Sequence, residues 1–238
     1  NSVYSDNSRI ELAVNEQWWK KRPYISSIKA VGYKDNKTAI EAFMKGKLHC
    51  VPTDLLTTEV YTTFEGVLDT EYLSRYYDFL APNLNNDLFK DKRIRQAISY
   101  AIDRKHIINT IYLNHAIISE MPLPPDSIFV DTNVNRYDNN AAKAKALLQE
   151  AGWELNSDGV LQKGNKIFSF EIAAVDNADD PIRRETARAI AKQLKEYGME
   201  VTVKTYKKNE LENLIAEKDF DMVLTGYYLS EMPDFEYI

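Results

Sequence analysis

The chain has 238 residues, of which 44% are hydrophobic and 11% aromatic, so it can bury a sizeable core in one large or two modest domains. Thirty Lys and Arg against thirty-six Asp and Glu give a net charge of −6, and without a clustered positive face no nucleic-acid partner is expected. No segment approaches the roughly twenty apolar residues that a membrane span requires.

The first quarter of the chain predicts alternating strands and helices. Strands are expected at 9–14, 25–33 and 47–51. A helix between the last two has Asn36 as its predicted cap and Gly46 at the position that favours a left-handed residue. The segment TDLLTTEVYTTF, residues 53–64, predicts a further helix despite its many β-branched residues.

Cys50 is the single cysteine, which excludes an internal disulfide. Its apolar neighbours Leu48 and Val51 favour a buried structural thiol, and no paired His or Asn pattern supports a nucleophile, since His49 is only its neighbour. The histidines are scattered and form neither HExxH nor CxxC, so no metal site is predicted.

Residues 70–82 read as a tyrosine-rich strand, and FKDKRIRQAISYAIDRKHIINTIYLNHA, residues 89–116, follows as two helices. An apolar stripe marks the first of these helices, which begins near Lys92. The stripe consists of Ile94, Ala97, Ile98, Ala101 and Ile102. Asp103 is placed to cap the second helix. The basic residues Arg93, Arg95 and Arg104 are interpreted as solvated residues or partners of local carboxylates.

The rest of the chain predicts an α/β layer with a largely covered sheet. The helix at 141–151 is capped by Asn139 or Asn140 and ended by Gly152, and a small hairpin follows it. Strands near 168–174, 199–206 and 220–228 alternate with helices, the first of which, at 181–197, is capped by Asp179 or Asp180.

Six segments in this order resemble the family 5 extracellular solute-binding proteins, the oligopeptide, dipeptide and nickel-binding receptors of ABC importers. These segments are VNEQWWKKRPYISSIKA, AIEAFMKGKLHCV, FKDKRIRQAISYAIDRKHII, YDNNAAKAKALLQEAGW with its DGV and KG, ARAIAKQLKEYGMEVTV and FDMVLTGYYLSEMPD. The resemblance covers essentially the whole chain.

The resemblance implies an α/β fold of the periplasmic-binding-protein type II kind, a two-lobed Venus-flytrap receptor with a mixed sheet flanked by helices. Residues 1–66 then correspond to the returning part of the first lobe, and residues 67–238 to most of the second lobe. We expect both ends to be cuts in a longer protein. Localisation is expected to be extracytoplasmic, at the cell surface as a lipoprotein or in the periplasm, with membrane association only through a missing N-terminal anchor.

In this family the strand that matches TGYYLS runs along the cleft, and its backbone pairs with an extended peptide. The resemblance therefore makes this segment the candidate ligand-binding site. Its residues are Thr225, Gly226, Tyr227, Tyr228, Leu229 and Ser230. Gly226 would permit close backbone approach, and Tyr227 would offer a flat wall with a hydroxyl. Many peptide receptors of the family carry an aspartate where this chain has Ser230, a departure that weakens the peptide assignment; Glu231 or Asp234 are possible substitutes.

The expected function is binding of oligopeptides or dipeptides and delivery to an ABC transporter permease, with no cofactor and no catalytic residue. The alternatives are a receptor for another solute, such as a nickel complex or a sugar, and the ligand-sensing lobe of a transcription regulator. A signal peptide or lipobox upstream would favour the receptor, and a helix-turn-helix upstream the regulator. An enzyme such as a glycosidase would need two carboxyl groups facing one pocket about 5–10 Å apart.

Overall fold

The structure is a computed structural model, and it describes residues 4–6, 9–54, 56–125, 127–131, 133–177 and 181–229. The chain divides into two compact units, Asn1–Asp69 and Thr70–Ile238. Among the described residues, no helix combines the length and the apolar character needed to cross a bilayer.

In its described residues, the first unit contains a small sheet, one α-helix and one 3-10 helix. Its elements are β1 Tyr4–Asp6, β2 Arg9–Ala13, β3 Ser27–Val31, α1 Asn36–Met44 and the 3-10 helix Glu59–Thr63. The strands pair antiparallel in the order β1-β2-β3. Gly46, with φ +70°, follows α1 as predicted. The predicted cap is wrong by one residue, because Asp35 Oδ1 accepts from the Thr38 N–H at 2.8 Å and Asn36 is already helical.

Two further predictions for this unit are wrong. Residues 47–51 form no strand, and Cys50 is exposed. An isolated apolar segment becomes a strand only where another strand offers it a ladder, and among the described residues the β1-β2-β3 sheet does not extend to it. The helix expected over 53–64 is reduced to the 3-10 helix Glu59–Thr63. Its threonines and valine lose side-chain freedom in an α-helix, which lowers helix propensity.

The second unit contains a larger sheet, a small three-stranded sheet and the remaining helices. Its strands are β4 Tyr76–Pro82, β5 Glu154–Leu155, β6 Leu161–Lys163, β7 Lys166–Ile167, β8 Ser169–Val175, β9 Glu200–Tyr206 and β10 Met222–Tyr228. Its helices are α2 Asp87–Lys90, α3 Lys92–Ala101, α4 Arg104–Thr110, α5 Ala141–Glu150, α6 Ile182–Lys195 and α7 Lys208–Glu217. The strand predicted over 70–82 therefore begins only at Tyr76.

The larger sheet is mixed, as expected, with strand order β4-β10-β8-β9. Strands β10, β8 and β9 run parallel, and β4 pairs antiparallel with β10. Strand β8 is buried on both faces: Phe170 and Ile172 join the core formed with α3, α5 and α6, while Ala173 packs with Leu211 of α7 on the other face. The three predicted strands thus share one sheet, covered by helices on both sides.

The helix pair at 89–116 is built as predicted. Ile94, Ala97, Ile98 and Ala101 are buried along α3, where Ile98 is 3% exposed. Asp103 caps α4 by accepting from the His106 N–H at 2.9 Å. An aliphatic stripe on one face and a side-chain cap at the next helix start therefore fix both helices against the sheet.

The three arginines of this pair serve the local structure. Arg93 binds Asp91 and donates to the Glu150 carbonyl at the end of α5. Arg95 donates to the carbonyls of residues 89 and 90. Arg104 forms a two-bond ion pair with Glu120, with N–O distances of 2.7 and 3.1 Å. All three contact protein groups, in agreement with the prediction.

Caps elsewhere in the second unit follow the same chemistry. Asn140, and not Asn139, caps α5 by accepting from the Lys143 N–H at 3.0 Å. Gly152, with φ +84°, ends that helix in the left-handed region that glycine adopts readily. The predicted caps of α6, Asp179 and Asp180, lie outside the described residues, and Pro181 occupies the position before the helix.

Candidate functional site

Four of the predicted binding residues, Thr225 to Tyr228, form the end of β10, and their positions alternate between the two faces of the sheet. Antiparallel pairing sets Thr225 opposite Phe79, Gly226 opposite Asp78, Tyr227 opposite Tyr77 and Tyr228 opposite Tyr76. Leu229 follows the strand, is 6% exposed and donates its N–H to the Arg75 carbonyl at 2.8 Å. Ser230, Glu231 and Asp234 lie outside the described residues.

One edge of this segment has no strand beside it within the described residues. Strand β10 pairs with β8 at Met222, Val223 and Leu224, and from Thr225 to Tyr228 the one strand paired with it, of those that the structure describes, is β4. We call Thr225–Tyr228 the free edge. It lies past the carboxyl end of the parallel strand β8, the position where open α/β sheets commonly bind ligands. A strand edge offers alternating N–H and C=O groups to any extended chain that approaches it.

Three aromatic rings line one face of the ribbon formed by β4 and β10. The Tyr227 ring lies 5.9 Å from Tyr77 and 5.5 Å from Phe79, and Tyr77 and Phe79 stack at 5.8 Å, measured between ring centroids. Burial raises the pKa of both Tyr77 and Tyr227, so their hydroxyls are protonated at neutral pH. Tyr227 belongs to the free edge, and the three rings together form an aromatic wall on this face of the ribbon.

On the opposite face, Gly226 leaves room for an ion pair. Arg183, from the first turn of α6, reaches Asp78 of β4 with Nε–Oδ1 and Nη2–Oδ1 distances of 2.9 and 2.8 Å. A Cβ on Gly226 would overlap Asp78 Oδ1 and would lie 2.7 Å from the Tyr77 carbonyl oxygen. The space beside this glycine is thus filled by the protein's own Asp78–Arg183 pair.

Two tyrosines extend the Asp78–Arg183 pair. The Tyr112 hydroxyl donates to Asp78 Oδ2 at 3.0 Å, and the Arg183 guanidinium lies 4.9 Å from the centroid of the Tyr76 ring. Two effects raise the pKa of Tyr112 far above the neutral range: burial, which is the larger, and the negative charge of Asp78. Burial lowers the pKa of Arg183, but the Asp78 charge and the contacts with Tyr76 outweigh that effect and raise it. The arginine is therefore charged and the Tyr112 phenol neutral throughout the physiological pH range.

Sequence reasoning located the strand but missed these partners. Asp78 and Arg183 are 105 positions apart, and neither sits in a motif of its own. The glycine at position 226, in a strand that is otherwise apolar and aromatic, was the available signal, because an interior glycine often marks a close approach by another group.

We expect Gly226→Ala to destabilise the second unit by about 1–3 kcal/mol, the usual cost of forcing extra atoms into a packed site. The reason is space, since the new methyl group would press on the Tyr77 backbone carbonyl, which cannot rotate away as a side chain can. Thermal unfolding followed by circular dichroism measures the loss. Thr225→Ala is the control, and equal melting temperatures for the two variants would contradict the packing described for Gly226.

The described residues contain no group of three or more His, Cys, Asp or Glu side chains arranged to hold a metal ion. Asp78 of the ribbon is paired with Arg183 of α6, and the next residue of that helix, Arg184, is paired with Asp176 and Glu185. The backbone groups of the free edge can form hydrogen bonds with a solute, and the aromatic wall can pack against it, while the charges of Asp78 and Arg183 neutralise each other.

Comparison with known proteins gives a consistent result. The family model described as bacterial extracellular solute-binding proteins, family 5 Middle, matches residues 2–238. The oligopeptide-binding protein AppA of Bacillus subtilis is 32% identical over 233 residues, which is 94% of this chain but 42% of that protein. The dipeptide-binding protein of Escherichia coli is 24% identical over 230 residues, and the match covers 94% of this chain and 40% of that protein.

Solved structures show the same fold. The B. subtilis AppA structure, in complex with a nonapeptide, matches 98% of this chain and 47% of its own with a TM-score of 0.70 at 28% identity. NikZ of Campylobacter jejuni in complex with Ni(L-His) matches 98% of this chain and 46% of its own with a TM-score of 0.73 at 26% identity. The predicted fold class, a mixed sheet flanked by helices of the solute-binding receptor type, is confirmed, and the chain spans about half the length of these relatives.

Proposed function

This chain belongs to the bacterial extracellular solute-binding proteins of family 5, and we propose that it carries part of the first lobe and most of the second lobe of the receptor of an ABC importer. The ligand is a short peptide in extended conformation. The receptor captures it outside the cytoplasm and delivers it to a membrane permease. No catalytic role is proposed.

The free edge is the observation that carries this proposal. Four residues of β10 present one side of their backbone with no strand partner among the described residues, beside an aromatic wall. An extended peptide can form main-chain hydrogen bonds with such an edge along the whole length of the edge. This mode of binding accepts many peptide sequences because the hydrogen bonds involve the peptide backbone. The likeness to an oligopeptide-binding protein of B. subtilis supports the same ligand class.

The assignment of lobes follows from the same proposal. Residues 1–66 would be the returning part of the first lobe and residues 67–238 most of the second; the division between units at Asp69 and Thr70 supports this. A peptide bound at the free edge would be enclosed by the first lobe of the intact receptor. We further propose that the receptor is held at the cell surface by a lipid anchor or is free in the periplasm.

A binding experiment on the full-length receptor tests the ligand class. We expect mass spectrometry of the protein purified under native conditions to find peptides, and calorimetry after their removal to give submicromolar dissociation constants for peptides selected from that set. A receptor that instead binds Ni(L-His), the ligand of the C. jejuni relative, or a simple sugar, and shows no heat with any peptide, would contradict the proposal.

A further inference from the structure

We infer that Asp78, Arg183 and Tyr112 are positioning residues that hold the free edge in the strand conformation a peptide can pair with. This inference rests on the proposed function for its consequence in ligand binding. Its structural content, the local order of Thr225–Tyr228, can be measured without any ligand.

The free edge needs additional support because it is paired with β4 on one side and, among the described residues, with no strand on the other. Up to Leu224, strand β10 is held between β4 and β8; beyond Leu224, β4 is its only strand partner in the part of the chain that the structure describes. A two-stranded ribbon is marginally stable by itself. Something other than the ladder must therefore keep this segment ordered when no peptide is bound.

The Asp78–Arg183 ion pair holds the free edge in place from the face of the ribbon opposite to the aromatic wall. Arg183 starts from α6, crosses the bare backbone of Gly226 and binds Asp78 on the neighbouring strand, so that helix and ribbon are joined at the middle of the free edge. Tyr112, just after α4, binds the second carboxylate oxygen. Two elements outside the sheet thus converge on one carboxylate in the ribbon.

The burial of these groups makes the link stronger than a surface ion pair. The side chains of Arg183 and Asp78 are 17% and 25% exposed, and hydrogen bonds between charged partners are roughly twice as strong as neutral ones. The stacking of Arg183 on Tyr76 fixes the guanidinium further. Each contact restricts the end of the ribbon where β4 begins and β10 ends.

If the ribbon end loosens, the peptide must order it on binding, and the free-energy cost of that ordering lowers the affinity for the peptide.

The matched comparison is Asp78→Asn against Glu120→Gln in the full-length receptor. Both changes remove one carboxylate charge with little change of shape. Glu120 forms an equally buried pair, since its side chain and that of Arg104 are 18% and 28% exposed. It lies outside β4 and β10, and its charge acts on Tyr77, on the face of the ribbon opposite to Asp78.

We expect Asp78→Asn to speed hydrogen exchange of those Thr225–Tyr228 amides that donate to β4 by about tenfold without ligand, and to weaken peptide affinity by about tenfold, which is about 1.4 kcal/mol. Glu120→Gln should change neither quantity. Tyr112→Phe, which removes a single hydrogen bond and is the gentler variant if Asp78→Asn folds poorly, should shift both in the same direction by less.

Two results would overturn the inference. One is exchange at the free edge that stays at the wild-type rate in Asp78→Asn and Tyr112→Phe. The other is exchange that rises equally across the whole second unit, which would mean that the pair supports only global stability. If the wild-type receptor binds no peptide, the proposed ligand class fails, while the exchange measurements still decide whether these residues position the strand.

Discussion

The melting temperature of the Ile98→Asp variant is expected to lie about 10 °C or more below that of the wild-type protein. The melting temperature of Arg93→Ala should lie close to the wild-type value. Ile98 is 3% exposed and belongs to the core that α3 forms with α5, α6 and the sheet. A carboxylate there would lie among the hydrophobic side chains of this core, and burying an unpaired charge or forcing it to protonate costs several kcal/mol. For a domain of this size, each kcal/mol lowers the melting temperature by roughly 2–4 °C.

Arg93 is the matched comparison because it lies on the same helix, one turn earlier, and its side chain is 45% exposed. Its replacement removes contacts with Asp91 and with the Glu150 carbonyl, both at the solvent-facing surface. Exposed ion pairs contribute little because water and salt screen them. Calorimetric scans of the two variants decide the matter; similar melting temperatures would mean that the faces of α3 have been assigned wrongly.

Local signals were sufficient where a helix or strand could be recognised by its own residues. The Ile94-to-Ala101 stripe, the Asp103 cap and the glycine at 152 each act within one or two turns, and each was read correctly. The strand predicted near 168–174 was equally clear, since Phe168, Phe170, Ile172 and Ala174 alternate with smaller or polar residues. It corresponds to β8, Ser169–Val175, and all four of these side chains are buried.

The failures share a different property: they depend on what lies beside the segment. Residues 47–51 have the composition of a buried strand, but no strand pairs with them among the described residues, and Cys50 is exposed. The Asp78–Arg183 pair was invisible for the same reason, because only the folded sheet brings β4 and α6 together across Gly226. Composition indicates what a segment can form, while long-range pairing determines what it does form.

The largest expected effect on function concerns the chain itself. We expect these 238 residues, produced alone, to bind peptide at least 100-fold more weakly than the full-length receptor. A micromolar complex requires about −8 kcal/mol. The free edge spans four residues, and alternate backbone groups of a strand point to opposite sides, so it offers about two to four hydrogen bonds. Each contributes about 1 kcal/mol net, against an association cost of about 4 kcal/mol or more.

That sum leaves no measurable affinity unless a second wall removes the peptide from water. Calorimetry of the 238-residue chain and of the full-length receptor, titrated with the same co-purified peptide, measures the difference; circular dichroism of the shorter chain confirms that its second unit is folded. Submicromolar binding by the shorter chain would place the whole site within it and would contradict a receptor that encloses its ligand between two lobes. Weak binding by a folded chain, beside tight binding by the full-length receptor, is the result that the exposed geometry of Thr225–Tyr228 predicts.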